Sequence, residues 1–118
     1  LSDKSKNIIK DETINNIKVR FQKIIDLPPK DLRKLIDNGK KEIVEGIVVI
    51  FASKDEKIGL AVGVTDKLVN KYDAVKFVKT GSEIIGGKGG GGRADFAQAG
   101  GTEVNKIDDA ISKLKSLV

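Results

Sequence analysis

The sequence predicts an α/β (α+β) fold: a small mixed sheet built around a central hairpin and covered by helices, with a glycine-rich loop before the last helix. Three observations carry this. Two nearly continuous apolar runs, "GIVVIFAS" and "KIGLAVGVT", are separated only by the polar "KDE", which reads as an antiparallel hairpin. Both runs are apolar at almost every position, which implies burial on both faces and helices on both sides of the sheet. Three segments carry apolar residues at helical spacing.

Residues 1–13, "LSDKSKNIIKDET", are polar with one apolar pair and read as a lead-in or the end of an upstream helix. Residues 14–118 read as a single globular domain. In "INNIKVRFQKII", Ile17, Val19 and Phe21 alternate with Lys18, Arg20 and Gln22. That period of two predicts a half-buried strand with a basic outer face. "DLPPKDLRKLIDNGKKEIV" opens on paired prolines, which suit a helix entry. Leu32, Leu35, Ile36, Ile43 and Val44 then share one helical stripe, and Gly39 on that stripe would allow close approach to the sheet. The hairpin follows. Thr65 reads as a cap before "DKLVNKY", after which Ala74, Phe77, Val78, Gly81, Ile84 and Ile85 form a second stripe that Gly86 ends. Asn105 with Asp108 gives a cap-like start to the last stripe of Ile107, Ala110, Ile111, Leu114 and Leu117.

At 118 residues the chain suits one hydrophobic core. That core must come from Ile, Val and Leu, since aromatics are only 4%. No apolar run approaches the length of a membrane span, and no signal-peptide pattern opens the chain; a cytoplasmic protein is expected. The absence of Met suggests a piece of a longer protein. With neither His nor Cys, zinc catalysis and the usual nucleophilic triads lose their parts. Neither a catalytic site nor a metal site is expected in this chain. The net charge of +5 is regional: residues 1–41 carry eleven basic and six acidic side chains, and residues 42–118 eleven of each. Nineteen of the 22 basic residues are Lys, and Ile is abundant, as an AT-rich genome would produce. The other reading is a surface facing a polyanion.

The stretch "IIGGKGGGGRADFAQAGG", Ile84 to Gly101, holds eight of the thirteen glycines. A patterned helix follows it and its polar residues are varied, so it is not a terminal linker. Gly87, Gly89 and Gly92 formally satisfy G-x-G-x-x-G. That dinucleotide fingerprint, however, needs a strand before it and a long helix directly after. A phosphate-binding P-loop fails because Gly87 stands where Lys should be. A structural crossover remains one reading. The other is an anion or backbone cradle, in which Gly86, Gly87, Gly89, Gly90, Gly91 and Gly92 let several N–H groups converge on one oxygen. Lys88 and Arg93 would flank that nest with charge, and Gln98 would hydrogen-bond a base edge or a hydroxyl. Lys18 and Arg20 are a secondary nucleic-acid-binding candidate.

"GGKGGGGRADFAQAGG" resembles the C-terminal signature of alanyl-tRNA synthetases, sharply over Gly86–Gly101 and more loosely over 14–118. Ala94 sits where that family often has Pro, and Phe96 where it often has Met. The same domain type is the DHH-associated domain of RecJ-like phosphoesterases, in which a His usually stands where this chain has Arg93. The resemblance implies a non-catalytic domain that binds tRNA(Ala) at its elbow and aids charging and editing by other synthetase domains. ATP, Mg and Zn would then belong to the parent protein, a ligase of protein biosynthesis, and none of them to this chain. The partners implied are tRNA, the remaining synthetase domains, and a second copy through an upstream helical segment. Two alternatives stay open: a single-stranded nucleic-acid-binding accessory domain of a DHH phosphoesterase, and an oligomerisation or spacer module.

Overall fold

The computed structural model describes residues 6–25, 32–87 and 90–118. The elements run β1 (Lys6–Ile14), β2 (Ile17–Ile25), α1 (Leu32–Ile43), β3 (Ile47–Lys54), β4 (Lys57–Val64), α2 (Ala74–Ile84), β5 (Gly91–Arg93), β6 (Phe96–Gly101) and α3 (Ile107–Lys115). They form one six-stranded sheet in the order β1-β2-β3-β4-β6-β5. Among the described residues only β2 and β3 pair in parallel, as a crossover through α1 requires. The mixed sheet with helices on both faces is the predicted class.

The central hairpin forms because "IVVIFAS" and "IGLAVGV" are buried at every position. Its turn places Asp55 and Glu56 at φ 53° and 63°, the left-handed pair that matches strand twist. Val48, Ile50, Ala52 and Ala61 point to the α1 face, with Ile24, Leu32, Ile36, Ile43 and Phe96. Val49, Phe51, Leu60 and Val62 point the other way, against Phe77, Val78, Ile107 and Leu114 of α2 and α3. Each such buried side chain is worth roughly 1.5–3 kcal/mol, so the fold is anchored at its centre.

Helix α1 crosses the strands along one row. A Cβ on Gly63 would lie 2.4 Å from Ile36 Cγ2, and one on Gly39 would lie 2.9 Å from Val48 Cγ1. The close approach read at Gly39 is therefore present.

Four details differ from expectation. Residues read as a lead-in include the edge strand β1, joined to β2 through Asn15 and Asn16 at φ 52° and 66°. Val44 does not sit on the buried stripe: it is 78% exposed and takes φ 69° as α1 ends. Glycine is held instead at Gly46, where a Cβ would come within 2.3 Å of the Lys18 carbonyl oxygen. Thr65 precedes only a 3-10 turn (Asp66–Leu68) and makes no side-chain cap; its Oγ1 accepts from the Gly46 N–H at 3.0 Å. The cap of α2 is Asp73, which accepts from Val75 N–H. Helix α3 begins after a second 3-10 turn with no side-chain cap, so Asn105 does not act as one. The paired prolines lie outside the described residues.

Candidate nucleic-acid interface

Most of the glycine-rich segment is sheet rather than loop. Gly91–Arg93 and Phe96–Gly101 form the antiparallel hairpin β5–β6, and the whole of β6 pairs with β4 from Ile58 to Gly63. The physical reason is that β4 would otherwise leave a row of buried N–H and C=O groups without partners. Chain ends are clamped by α2: Gly87 N–H donates to the Ser82 carbonyl at 2.7 Å, Thr102 and Glu103 N–H both donate to the Ile85 carbonyl at 2.9 Å, and Ser82 Oγ donates to the Gly100 carbonyl at 3.1 Å. Gly86, at φ 82°, ends α2 as read from the sequence.

The glycines divide into two kinds. A Cβ at Gly87 would fall 1.8 Å from Gly100 O, one at Gly90 2.1 Å from Gln98 O, and one at Gly92 2.4 Å from Phe96 O. These three let the segment lie flat against β6. At Gly91 a Cβ would meet nothing within 4 Å, so its bare backbone faces open space. Lys88 and Gly89 lie outside the described residues.

Register decides what surrounds Gly91. It pairs with Gln98, and Arg93 pairs with Phe96; Phe96 belongs to the α1-side core. Cross-strand partners share a face, so Gly91, Arg93, Phe96 and Gln98 all address the α1 side. Arg93 is 69% exposed, with only a long 3.7 Å ion pair to Asp95 among the described residues, and Gln98 is also exposed. The guanidinium of Arg33, on the first turn of α1, lies 5.1 Å over the Phe96 ring. Arg33 escaped the sequence reading: on the polar face of an amphipathic helix nothing marks one cation from the next.

Lys18 and Arg20 are not brought to this site. They lie on β2, separated from β5 by β3, β4 and β6. Lys18 is exposed. Arg20 is a tie between elements, its Nε and Nη2 donating to Asp11 at 2.7 and 3.1 Å and its Nη1 to Glu42 of α1. The guanidinium holds the Asp11 carboxyl below the usual carboxylate range, and the two carboxylates push Arg20 upward.

A family model described as the DHHA1 domain matches residues 16–118. The alanine–tRNA ligase of Parvibaculum lavamentivorans is 48% identical over 108 residues, covering 91% of this chain and 12% of that protein. That of Mesorhizobium japonicum is 42% identical over 106 residues, 89% of this chain and 12% of the relative. The chain thus spans about an eighth of the curated relatives it matches. The crystal structure of the C-Ala domain from Aquifex aeolicus alanyl-tRNA synthetase superposes with a TM-score of 0.84 at 30% identity, covering 92% of this chain and 96% of that one. A DHH-domain member of the s1p family of ribosomal proteins shares the fold, with a TM-score of 0.57 at 21% identity over 89% of this chain and 27% of that one.

Proposed function

The chain belongs to the DHHA1 domain family and is homologous to the C-terminal domain of alanyl-tRNA synthetases; from that premise we propose that it binds tRNA(Ala) at the elbow and assists charging and editing performed by other domains. The observation that carries the reading is the exposed β5–β6 hairpin, where the open backbone of Gly91 lies beside Arg93 and Gln98. A side-chain-free backbone admits a ribose or phosphate closely. An arginine that is 69% exposed and holds only a long ion pair to Asp95 among the described residues can pair with that phosphate through two N–H groups. Gln98 supplies a donor and an acceptor for a base edge or a 2′-hydroxyl. Folded RNA is recognised through such shape and backbone contacts. Gly86, Gly87, Gly90 and Gly92 set the hairpin's path, Lys88 and Gly89, outside the described residues, are proposed as further contacts, and Lys18 as a secondary one.

The single-strand reading has less support. Binders of single strands stack bases on open aromatic rings, and Phe96, the one aromatic on this face, is 8% exposed and capped by Arg33. Zinc does not fit the donor set. The chain has neither His nor Cys, and among the described residues no three acidic side chains converge on a point. No described helix is long and apolar enough to cross a membrane.

Titration of this chain with a tRNA transcript at several salt concentrations tests the reading. Arg93→Ala should weaken binding by roughly 1.5–3 kcal/mol, the range for a hydrogen bond to a charged group. Its stability should shift by less than about 0.5 kcal/mol, as for other surface changes. Equal affinity for the tRNA and for an unstructured strand of the same length would refute recognition of the elbow.

A further inference from the structure

A cavity of about 410 Å³ opens where α1 ends, lined by Lys40, Lys41, Val44, Glu45, Asp66 and Lys67. We infer that this cavity takes one nucleotide of the bound RNA, its phosphate held by the three lysines and its nucleoside lying against Val44. The inference rests on the RNA-binding reading and adds a second point of contact to it.

Three observations carry it. First, none of the three lysines is ion-paired among the described residues, although Glu45 and Asp66 line the same cavity. The balance of charge facing the cavity is positive. Second, Val44 holds a left-handed φ of 69° while 78% exposed. A β-branched residue in that region is an outlier, and such strain persists where the surroundings over-determine it, often at binding sites. Its exposed apolar side chain thereby lines the same cavity as the three lysines. A nucleotide has that pairing of an apolar face with an anion. Third, the cavity shares a face with the hairpin. The Cε of Lys40 is 2.8 Å from where a Gly63 Cβ would be, Gly63 pairs with Phe96, and Phe96 pairs with Arg93. Lys40 thus lies two strands from Arg93, on the order of 10 Å, so one RNA laid over α1 reaches both. The competing account is that Lys40 and Lys41 merely complement the dipole at the helix end, which would affect folding and not binding.

The experiment compares tRNA-transcript binding by this chain, by Lys41→Ala/Lys67→Ala, by Val44→Gly and by Arg93→Ala. The double variant should bind at least tenfold more weakly. Its plot of log K against log salt should be shallower by roughly 0.7–0.9, the release expected for one phosphate no longer neutralised, with an unchanged melting temperature. Val44→Gly suits the left-handed backbone and should melt higher. It should nonetheless bind more weakly, with the salt slope unchanged. If the double variant binds like the parent while Arg93→Ala weakens binding, the cavity is not a site and the hairpin reading stands. If none of the variants weakens binding, both readings fall. If Val44→Gly binds like the parent, the nucleotide assignment is overturned.

Discussion

Adjacent glycines in the hairpin should respond oppositely to the same substitution. A Cβ at Gly90 would lie 2.1 Å from Gln98 O, 2.6 Å from Ala99 Cβ and 2.7 Å from Ala99 Cα, whereas carbon–oxygen contacts normally stay beyond about 3.3 Å. The overlap exceeds an ångström. Every atom in the way belongs to β6, which is held in place by its pairing with β4. Relief requires β5 to leave β6, and Gly90→Ala should cost about 1–3 kcal/mol, as overpacking does. At Gly91 the added methyl meets nothing within 4 Å. There alanine mainly restricts the unfolded chain and should stabilise by about 0.4–1 kcal/mol. The two variants should therefore differ by roughly 1.5–4 kcal/mol. Urea denaturation at constant m measures the gap. Gly91→Val extends the test, because it fills the open surface without touching β6. It should lower tRNA affinity while leaving the urea midpoint at or above that of the parent. Equal destabilisation at Gly90 and Gly91 would refute the division of the glycines into packing and open positions.

Asp11→Asn should flatten the acid limb of stability. The folded carboxyl titrates below its unfolded value, so its contribution is present above about pH 4 and is lost as pH falls through the lower folded value. Urea midpoints from pH 7 to pH 2.5 should show a deficit of less than about 1 kcal/mol at neutrality, vanishing in acid. Ser82→Ala removes the buried hydroxyl that donates to the Gly100 carbonyl and should cost about 1 kcal/mol, read from the shift in urea midpoint.

The central hairpin was legible because burial on both faces leaves an unbroken apolar run, and the turn between "FASK" and "KIGL" is two residues long. The helical stripes were legible for the same reason, through period. Strand β1 was not: at the sheet's rim only Ile8 and Ile9 break a polar run, and both stay about half exposed. The signal that could have found it is Asn15-Asn16, two residues that tolerate left-handed backbone. Strands β5 and β6 ran against local propensity, since glycine is depleted in strands; the open edge of β4 overrode it. At the site, the sequence singled out Arg93 and Gln98 as polar contacts of a glycine cradle; that they share the α1-side face follows only from the strand register. The sequence could not show that Arg20 is tied to Asp11 and Glu42, because those partners are separated by nine and 22 positions. The strain at Val44 has no sequence signature either, because valine there fits the helical stripe.

The sheet's asymmetry of cover sets a gradient of local opening. Strands β3 and β4 are enclosed by helices on both faces, while β5 has only three residues, all exposed, and pairs on one side alone. Amide hydrogens of the central hairpin should exchange only through global unfolding, and those of β5 through a far cheaper separation of the hairpin. The segment proposed to meet RNA would thus open while the core stays folded. Bound RNA would then appear in exchange experiments as protection gained at the rim of the sheet, with the centre already at its limit.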